Sequence, residues 1–519
     1  MVRTHRITDD RPAGVIHDAD ADAILQLTAR ELSSRIASGA VDCVQLMEAT
    51  LDRIESPSIQ HKNPFVMLHD RSTLIELARE AADAAQRGQF RGWLHGIPTA
   101  VKDMVHVQGL PTTYGGVFPT ASAAAAPKQQ KSDAHIARLQ DAGAIVMGKT
   151  NVPVMGLGSH TTNAVYGATR NAVDPTRSAG GSSGGAAVAV ATQCVALADG
   201  TDMGGSLRNP AGWNGIYSIR PTAGLLSADD EETDPLPYPL STPGPLARCI
   251  DDLGYILETM AGKEVWQYND EDEAEQKPRR ILWLGDWGGS VPMEEGILDV
   301  CQSALKRHCT GNNIAVDDST GMKLFPMSKL WESWVVIRAV VISKNCQALS
   351  HLKSDWSDTT PELQWELQQG ASVSDQQGAS VSDQQLETAC STVQTFIHWL
   401  KESVWSLPYD AIALPSAQVW PFPVEQAYPT SIAGVEMKLY HEWMQIMIVV
   451  SLAGLPCVTV PAGQDSDNNS GLPMGIQLAG PRGNDNDILH MARVYEANYQ
   501  QELSRRRRSV PDPGDAGGP

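Results

Sequence analysis

Apolar residues recur at helical spacing over residues 28–56, where Leu32, Ile36, Val44, Met47, Leu51 and Ile54 share a face and Ser38-Gly39-Ala40 interrupts them. The spacing predicts two amphipathic helices wrapped around a core. Phe65-Val66-Met67-Leu68 is a short continuous apolar run of strand length. Ser72, followed by Leu74, Leu77, Ala78, Ala81 and Ala85, predicts a capped helix that stops at Gly88. Residues 97–101 predict a strand, and residues 132–142 followed by 144–148 predict a helix feeding a buried strand. Such alternation implies an α/β fold: a large mixed, mostly parallel twisted sheet covered on both faces by helices.

The pattern continues with an alanine- and valine-rich helix over 186–192, a strand over 195–198 that empties into a glycine-rich loop, and later strands at 281–284, 411–414, 457–460 and 475–478. One octapeptide, residues 370–377, is repeated without change at 378–385. Its polar composition suits an exposed loop or helix extension without a catalytic role. No linker separates these segments, so the 519 residues read as one domain, 1–519. Within it, N-terminal helices (about 24–60) precede a core (about 90–230), a variable stretch (about 265–405), C-terminal strands and a helix to about 500, and a tail at 501–519 expected to be disordered.

Charge and cysteine usage narrow the function classes. A net charge of −21 repels phosphates over most of the surface, and Arg505 to Arg508 beside a Pro/Gly tail read as a solvated terminus, so nucleic acid is not an expected partner. Eight scattered cysteines form no C-x-x-C pair and suit a reducing compartment. The first twenty residues lack the apolar core of a signal peptide, and no window approaches 18 uninterrupted apolar residues. A soluble cytoplasmic protein without a membrane partner is expected.

Three segments carry the chemistry. Gly96-Ile97-Pro98-Thr99-Ala100-Val101-Lys102-Asp103 places a lone lysine at the end of an apolar strand, where desolvation lowers an amine toward use as a base. The competing reading pairs Lys102 with Asp103 at the surface. Two glycine-rich loops follow: Gly180-Gly181-Ser182-Ser183-Gly184-Gly185, and Gly200-Thr201-Asp202-Met203-Gly204-Gly205-Ser206. Glycines flanking a hydroxyl let the backbone approach a substrate and aim its N–H groups inward. Ser206 is the candidate nucleophile, with the N–H groups of Met203, Gly204, Gly205 and Ser206 as candidate oxyanion donors. Taken singly, each serine loop is also readable as an ordinary Gly-Ser turn or linker; the alanine-rich helix behind Ser182 argues against a linker.

The order and spacing of these segments, with 24 residues from Ser182 to Ser206, resemble the amidase signature family of serine hydrolases. The resemblance extends to Leu27-Thr28-Ala29-Arg30-Glu31-Leu32 near the start and Gly471-Leu472-Pro473-Met474-Gly475-Ile476-Gln477-Leu478 near the end, and is weakest over 310–405. It implies a Ser–cisSer–Lys triad in which Ser182, preceded by a cis peptide bond, bridges Lys102 and Ser206. It also implies that Asp202 and Arg208 lock the nucleophile loop, with Ser183 and, more weakly, Thr201 in the same network. The implied activity is hydrolysis of linear carboxamide C–N bonds through an acyl-enzyme, with a small-molecule amide and water as reactants and no cofactor or metal. Carbamate or ester hydrolysis at the same site, or service as the amidase-type subunit of a tRNA-dependent amidotransferase, are the alternatives. A homodimer is among the assemblies it allows.

Two departures from the family pattern bear on substrate. Val154 stands where an acidic residue is usual, and Trp213 where a smaller residue is common. With Trp420, Phe422, Tyr440 and Trp443, in a region that tends to line the family's pocket, they suggest an aryl or hydrophobic substrate. Three rival patterns fit less well. Gly181-Ser182-Ser183-Gly184-Gly185 satisfies the nucleophile-elbow pattern centred on Ser183, but a loop rather than a hydrophobic strand precedes it. The thirteen histidines form no clustered ligand pattern, and the phosphate-loop ending Gly-Lys-Ser/Thr is missing.

Overall fold

A computed structural model describes residues 21–118, 131–226, 235–267, 278–309, 313–351, 353, 355–370, 381–464 and 471–509. After α1 (Ala21–Gln26), the first amphipathic segment folds as two helices because each carries its own cap. At the start of α2 (Ala29–Ala37), Thr28 Oγ1 accepts the Glu31 N–H at 3.2 Å while the Glu31 carboxylate accepts the Thr28 N–H at 2.9 Å. At α3 (Cys43–Glu55), Asp42 accepts the N–H groups of Val44 and Gln45. The short α4 (Pro57–Lys62) and the strand β1 (Phe65–Leu68) follow. Ser72 is not the cap of the next helix: α5 (Arg71–Gln86) begins one residue earlier, with Asp70 at its N-cap. Arg71 is drawn into that first turn by Asp52 at 2.6 Å and Glu55 at 2.8 Å on α3.

The remaining strands are β2 (Pro98–Lys102), β3 (Ile145–Thr150), β4 (Leu197–Asp202), β5 (Tyr217–Arg220), β6 (Thr242–Ala247), β7 (Arg279–Trp283), β8 (Ile314–Asp318) and β9 (Ala411–Pro415), a small hairpin of β10 (Ser431–Ile432) and β11 (Val435–Glu436), then β12 (Cys457–Gln464) and β13 (Pro473–Ala479). Among the described residues, eleven of them form one sheet in the order β1-β3-β2-β4-β6-β5-β12-β13-β9-β7-β8. Parallel pairs are confined to two flanks, β3-β2-β4 and β9-β7-β8, while the centre is antiparallel. The parallel flanks are where helices connect neighbouring strands, as parallel pairing requires.

Helices α6 (Ala134–Asp141), α7 (Gly184–Ala191), α8 (Arg208–Asn214), α9 (Ile250–Ala261) and α10 (Ile297–Cys309) interleave with these strands. A helical stretch of α11 (Met327–Ala348), α12 (Pro361–Gly370) and α13 (Asp383–Leu400) precedes β9; α14 (Gln445–Leu452) and α15 (Asp485–Ser509) complete the chain. Helix α7 is apolar all round and buried, which explains its alanine and valine content.

Two boundaries differ from expectation for physical reasons. Strand β4 does not end at the apolar residues; it carries Gly200, Thr201 and Asp202, because pairing with β6 continues from Leu197↔Ala247 to Asp202↔Thr242. Residues 501–509 of the expected tail continue α15, with Glu502 paired to Arg307 at 3.1 Å and His308 at 3.5 Å on α10, and 510–519 lie outside the described residues. Of the octapeptide copies, 371–380 lie outside the described residues; Gly370 ends α12, and Ser382 and Gln385 of the second copy form the capping box of α13. Among the described residues, no helix is long and apolar enough to cross a membrane.

One buried acid makes stability depend on pH. On α15, burial, and then the nearby Asp251 and Asp252, push the Glu496 carboxyl up to about 8, against the Ile250 N–H it accepts at 3.0 Å. The folded state therefore keeps its proton where the unfolded chain has lost it, so stability is intact below the ordinary value of 4.5 and falls as pH rises toward 8. The slope is at most about 1.4 kcal/mol per pH unit. Glu496→Gln should match the parent in thermal unfolding at pH 4 and exceed it at pH 8; an offset in Tm that does not change with pH would contradict this.

Candidate active site

Strand β2 is buried along its length and delivers Lys102, 0% exposed, into the interior beside β3 and β4. The amine finds no carboxylate there. Lys102 Nζ lies 2.8 Å from Ser182 Oγ, 2.8 Å from Thr201 Oγ1 and 3.3 Å from the Thr201 carbonyl. Burial lowers the amine to about 7, even though the charges of Asp199 and Asp202 oppose the shift. The surface pairing with Asp103 does not occur. Asp103 is itself buried and turns away, accepting the N–H groups of Thr113 at 2.9 Å and Gly115 at 3.2 Å and the Thr113 hydroxyl. Asp199, one strand over, accepts the backbone N–H of Lys102 at 2.6 Å and so fixes where the side chain starts.

The first serine loop is cradled by residues 159–161. Ser159 Oγ donates to the Gly181 carbonyl at 2.9 Å, and Thr161 holds the Gly180 carbonyl through its N–H and hydroxyl. Gly180 has φ +74, and a Cβ there would lie 2.5 Å from Asn209 Oδ1, so the turn admits no side chain. The Gly181–Ser182 peptide is cis. Ser183 Oγ lies 3.3 Å from the Thr201 carbonyl, and Ser183 N–H donates to the Ser206 carbonyl at 3.2 Å, which joins the two serine loops.

The second loop, between β4 and α8, is organised by one carboxylate. Asp202 accepts the N–H groups of Gly205 at 2.9 Å and Leu207 at 3.0 Å, and two bonds from the Arg208 guanidinium at 2.8 and 3.0 Å. Arg208 reaches onward to the Met447 carbonyl, Ser451 Oγ and Gln477 Oε1. A second buried arginine, Arg220 on β5, lies 3.3 Å from the same carboxylate and also donates to the Asp202 carbonyl. Burial alone would raise the Asp202 carboxyl, but Arg208 and Arg220 outweigh it and hold it well below the usual carboxylate range. Burial in turn lowers Arg220 to about 10.

This arrangement already engages one of the four candidate oxyanion donors. The Gly205 N–H is committed to Asp202, which leaves Met203, Gly204 and Ser206 with N–H groups that meet no acceptor among the described residues. Gly205, at φ +106, contributes the bend instead. Ser206 is 9% exposed and its hydroxyl forms no hydrogen bond among the described residues, so the structure joins Lys102 to Ser182 directly but links Ser182 and Ser206 only through the backbone contact of their loops.

The expected aromatic pocket divides. Trp213 and Trp443 stack at 5.8 Å with Phe422 edge-on to both, and the two tryptophans are enclosed; they brace α8 from behind and present no face to a ligand. Trp213, next to last in α8, packs its ring against Gly180 of the first serine loop, where a Cβ would lie 3.2 Å from its Cε3. Trp420 is half-buried on the segment 294–296, donating to the Glu295 carbonyl at 3.1 Å. Tyr440 is half-buried beside Gly158, next to the cradle of Ser182. Val154 packs in a small apolar cluster with Met155, Ile342, Cys346 and Leu363, so its neighbours are α11 and α12.

Sequence reading missed several neighbours of the site. Thr201, expected as a minor member, is a direct partner of Lys102. Asp199 within β4 and Arg220 at the end of β5 each place a charge in a buried strand, a signal that was legible. Trp334 on α11 left none: its ring edge covers Gly204, where a Cβ would lie 2.8 Å from Trp334 Cζ2. Among the described residues, no group of three or more His, Cys, Asp or Glu side chains is placed to hold a metal.

The family model described as Amidase matches residues 45–489. An acylamidase of Rhodococcus erythropolis is 28% identical over 490 residues, covering 91% of this chain and 95% of the relative. A glutamyl-tRNA(Gln) amidotransferase subunit of Lachnospira eligens is also 28% identical, over 506 residues, covering 91% and 98%. Among solved structures, a bacterial aryl acylamidase of the amidase signature family superposes with a TM-score of 0.80 at 23% identity, covering 95% of this chain and all of that one; at that identity the likeness concerns the fold.

Removing the charge of Asp202 leaves two buried guanidinium groups without their anion. Asp202→Asn should lower unfolding stability by about 3–5 kcal/mol in chemical denaturation. A loss below about 1 kcal/mol would mean that the loop is not held by this carboxylate.

Proposed function

This chain belongs to the Amidase family, and from that premise we propose that it hydrolyses linear carboxamides through Lys102, Ser182 and Ser206. The observation that carries the reading is the environment of the Lys102 amine. A neutral amine has two N–H donors and one lone pair for its three contacts; in this reading Thr201 Oγ1 and the Thr201 carbonyl take the donors, and the lone pair is assigned to the Ser182 hydroxyl. Lys102 is thereby a base aimed at one hydroxyl.

In the proposed cycle Ser182 passes its proton to Lys102 and takes the proton of Ser206, whose oxygen attacks the amide carbonyl. This contact between the serines forms by rotation of the unbonded Ser206 hydroxyl, a tightening expected when substrate binds. The N–H groups of Met203, Gly204 and Ser206 stabilise the tetrahedral oxyanion, each donor contributing about 2.7–4 kcal/mol to lowering the barrier. Ser182 protonates the departing amine, and water releases the acyl group by the reverse relay. Asp202, Arg208, Arg220 and Ser183 hold the loops in register without touching the reacting atoms. The apolar surroundings of Val154 and the ring of Trp334 favour an aryl or hydrophobic small-molecule amide; carbamates and esters present the same carbonyl chemistry. The reactants are that amide and water, in a cytoplasmic setting, with a homodimer as the assembly considered.

A second reading is supported by the amidotransferase relatives, which match over the same share of the chain. It requires a partner protein that receives ammonia. Dependence on glutamine, together with co-purification of a second protein, would favour it over free hydrolysis of anilides.

The test combines labelling and a pH profile. A fluorophosphonate should label Ser206, and Ser206→Ala should cost at least about three orders of magnitude in kcat/KM on a reactive aryl amide. Because Lys102 must be neutral, kcat/KM should fall as pH drops below about 7. Asp199→Asn removes an anion that favours the charged amine, so the acid limb should move to lower pH; a limb that stays in place, or moves up, contradicts the assignment of Lys102 as the base.

A further inference from the structure

The hold on Lys102 has a second layer, supplied by α6. Strand β2 pairs with β4 at Ala100↔Ala198, and two residues further on the Lys102 N–H donates to the Asp199 carboxylate at 2.6 Å rather than to a strand carbonyl. The Lys102 carbonyl lies 3.4 Å from the Nζ of Lys149 on β3. Both backbone groups of the lysine are thus held by side chains, and one of the two holders is only half used. Asp199 Oδ2 is buried and has no hydrogen-bond partner among the described residues. A bare carboxylate oxygen in the interior is costly, and its surroundings show what offsets that cost.

His135, in the first turn of α6, faces that oxygen. Its Nε2 lies 3.7 Å from Asp199 Oδ2 in a side chain that is 7% exposed, and Nε2 likewise has no hydrogen-bond partner among the described residues. A closure of about 0.8 Å would join the two as a hydrogen bond. The charged groups on the neighbouring elements are engaged elsewhere. Asp133, which precedes α6, accepts the His106 N–H at 2.9 Å, Arg138 on α6 donates to the Met260 carbonyl at 2.7 Å, and Lys149 donates to the Val105 carbonyl and to the Thr112 hydroxyl. On α9, which packs on α6, Asp252 accepts the N–H groups of Ala29 and Arg30, Glu258 accepts those of Val265 and Trp266, and Asp251 pairs with Arg493. Asp199 is the acid that His135 meets.

Resting on the amidase reading, we propose that His135 is a positioning residue for the base: its Nε2–H holds Asp199 Oδ2, which keeps the carboxylate charged and its other oxygen on the Lys102 N–H. The consequence reaches the amine without a contact. Burial lowers Lys102 and the Asp199 charge opposes that shift, so this carboxylate sets how strong a base the amine remains. A hydrogen bond to a carboxylate favours its charged form. Without His135 the field at Lys102 weakens, and the lysine becomes a weaker base. His135 touches no reacting atom and acts through Asp199.

The experiment follows the acid limb of kcat/KM on a reactive aryl amide in variants of His135. His135→Leu should move the limb to lower pH by at least about 0.5 units, the direction expected of Asp199→Asn. His135→Asn, whose amide is too short to reach Asp199, should do the same and carries the test if the leucine variant does not fold. His135→Gln, whose amide nitrogen takes the place of Nε2, should return the limb to within about 0.2 units of the parent. In an Asp199→Asn background His135→Leu should move the limb no further, because the effect passes through that carboxylate. A limb that stays in place or moves up, a glutamine variant no closer to the parent than the leucine variant, or a full further shift in the double variant would overturn the role of His135 alone while Ser206 is still labelled. Failure of the fluorophosphonate to label Ser206, with no aryl amide turned over, would overturn the amidase reading and this role with it.

Discussion

A lysine amine inside a β-sheet, surrounded by hydroxyls and carbonyls but touching no carboxylate, is the constraint from which the rest of the site follows. Desolvation makes the ammonium form expensive, and the ordinary remedy is an acid at contact distance. Here the acids whose charges reach it bond elsewhere: Asp199 accepts the backbone N–H of Lys102 itself, and Asp202 the Arg208 guanidinium. Their fields moderate the shift without forming a contact. The amine is left near neutrality, and the hydroxyl placed against it is that of Ser182.

A second allocation of partners shapes the nucleophile loop. Asp202 could have neutralised Lys102 if it reached the amine, but two arginine side chains and the backbone N–H groups of Gly205, Leu207 and Arg208 absorb its lone pairs. Arg208 then ties this carboxylate to α14 and β13 through Met447, Ser451 and Gln477, so the loop's shape is set by the antiparallel centre of the sheet. The same bonding consumes the Gly205 N–H and releases its neighbours. A carboxylate that satisfied every donor in the loop would leave nothing for an oxyanion; one that satisfied none would leave the loop without a fixed shape.

Much of this was legible because catalysis demands particular residues at particular spacings. The Lys102 strand, both glycine loops and the Asp202–Arg208 pair lie where the motifs put them, and the caps at Thr28 and Asp42 mark helices that local sequence alone specifies. Boundaries slipped where tertiary partners decide them. Asp52 and Glu55 pull Arg71 into α5, β6 extends β4 through two residues of the glycine motif, and α10 holds the end of α15. Spacing records which N–H groups are near a serine, not which are already bonded, as that of Gly205 is to Asp202.

Substrate choice was hardest to read for a related reason. An aromatic residue looks the same in sequence whether it faces a ligand or fills a core, and Trp213 and Trp443 stack on each other behind α8. The surface that covers the catalytic loops comes instead from α11 and α12, in the stretch where the chain least resembles its family. Trp334 is an ordinary position of a buried helix until the fold brings Gly204 against its ring. The division is physical. Lys102 and Asp202 are held by bonds to neighbouring strands and loops that lie within or beside the motifs, whereas Trp334 meets Gly204 only through the packing of a distant helix, which no local pattern records.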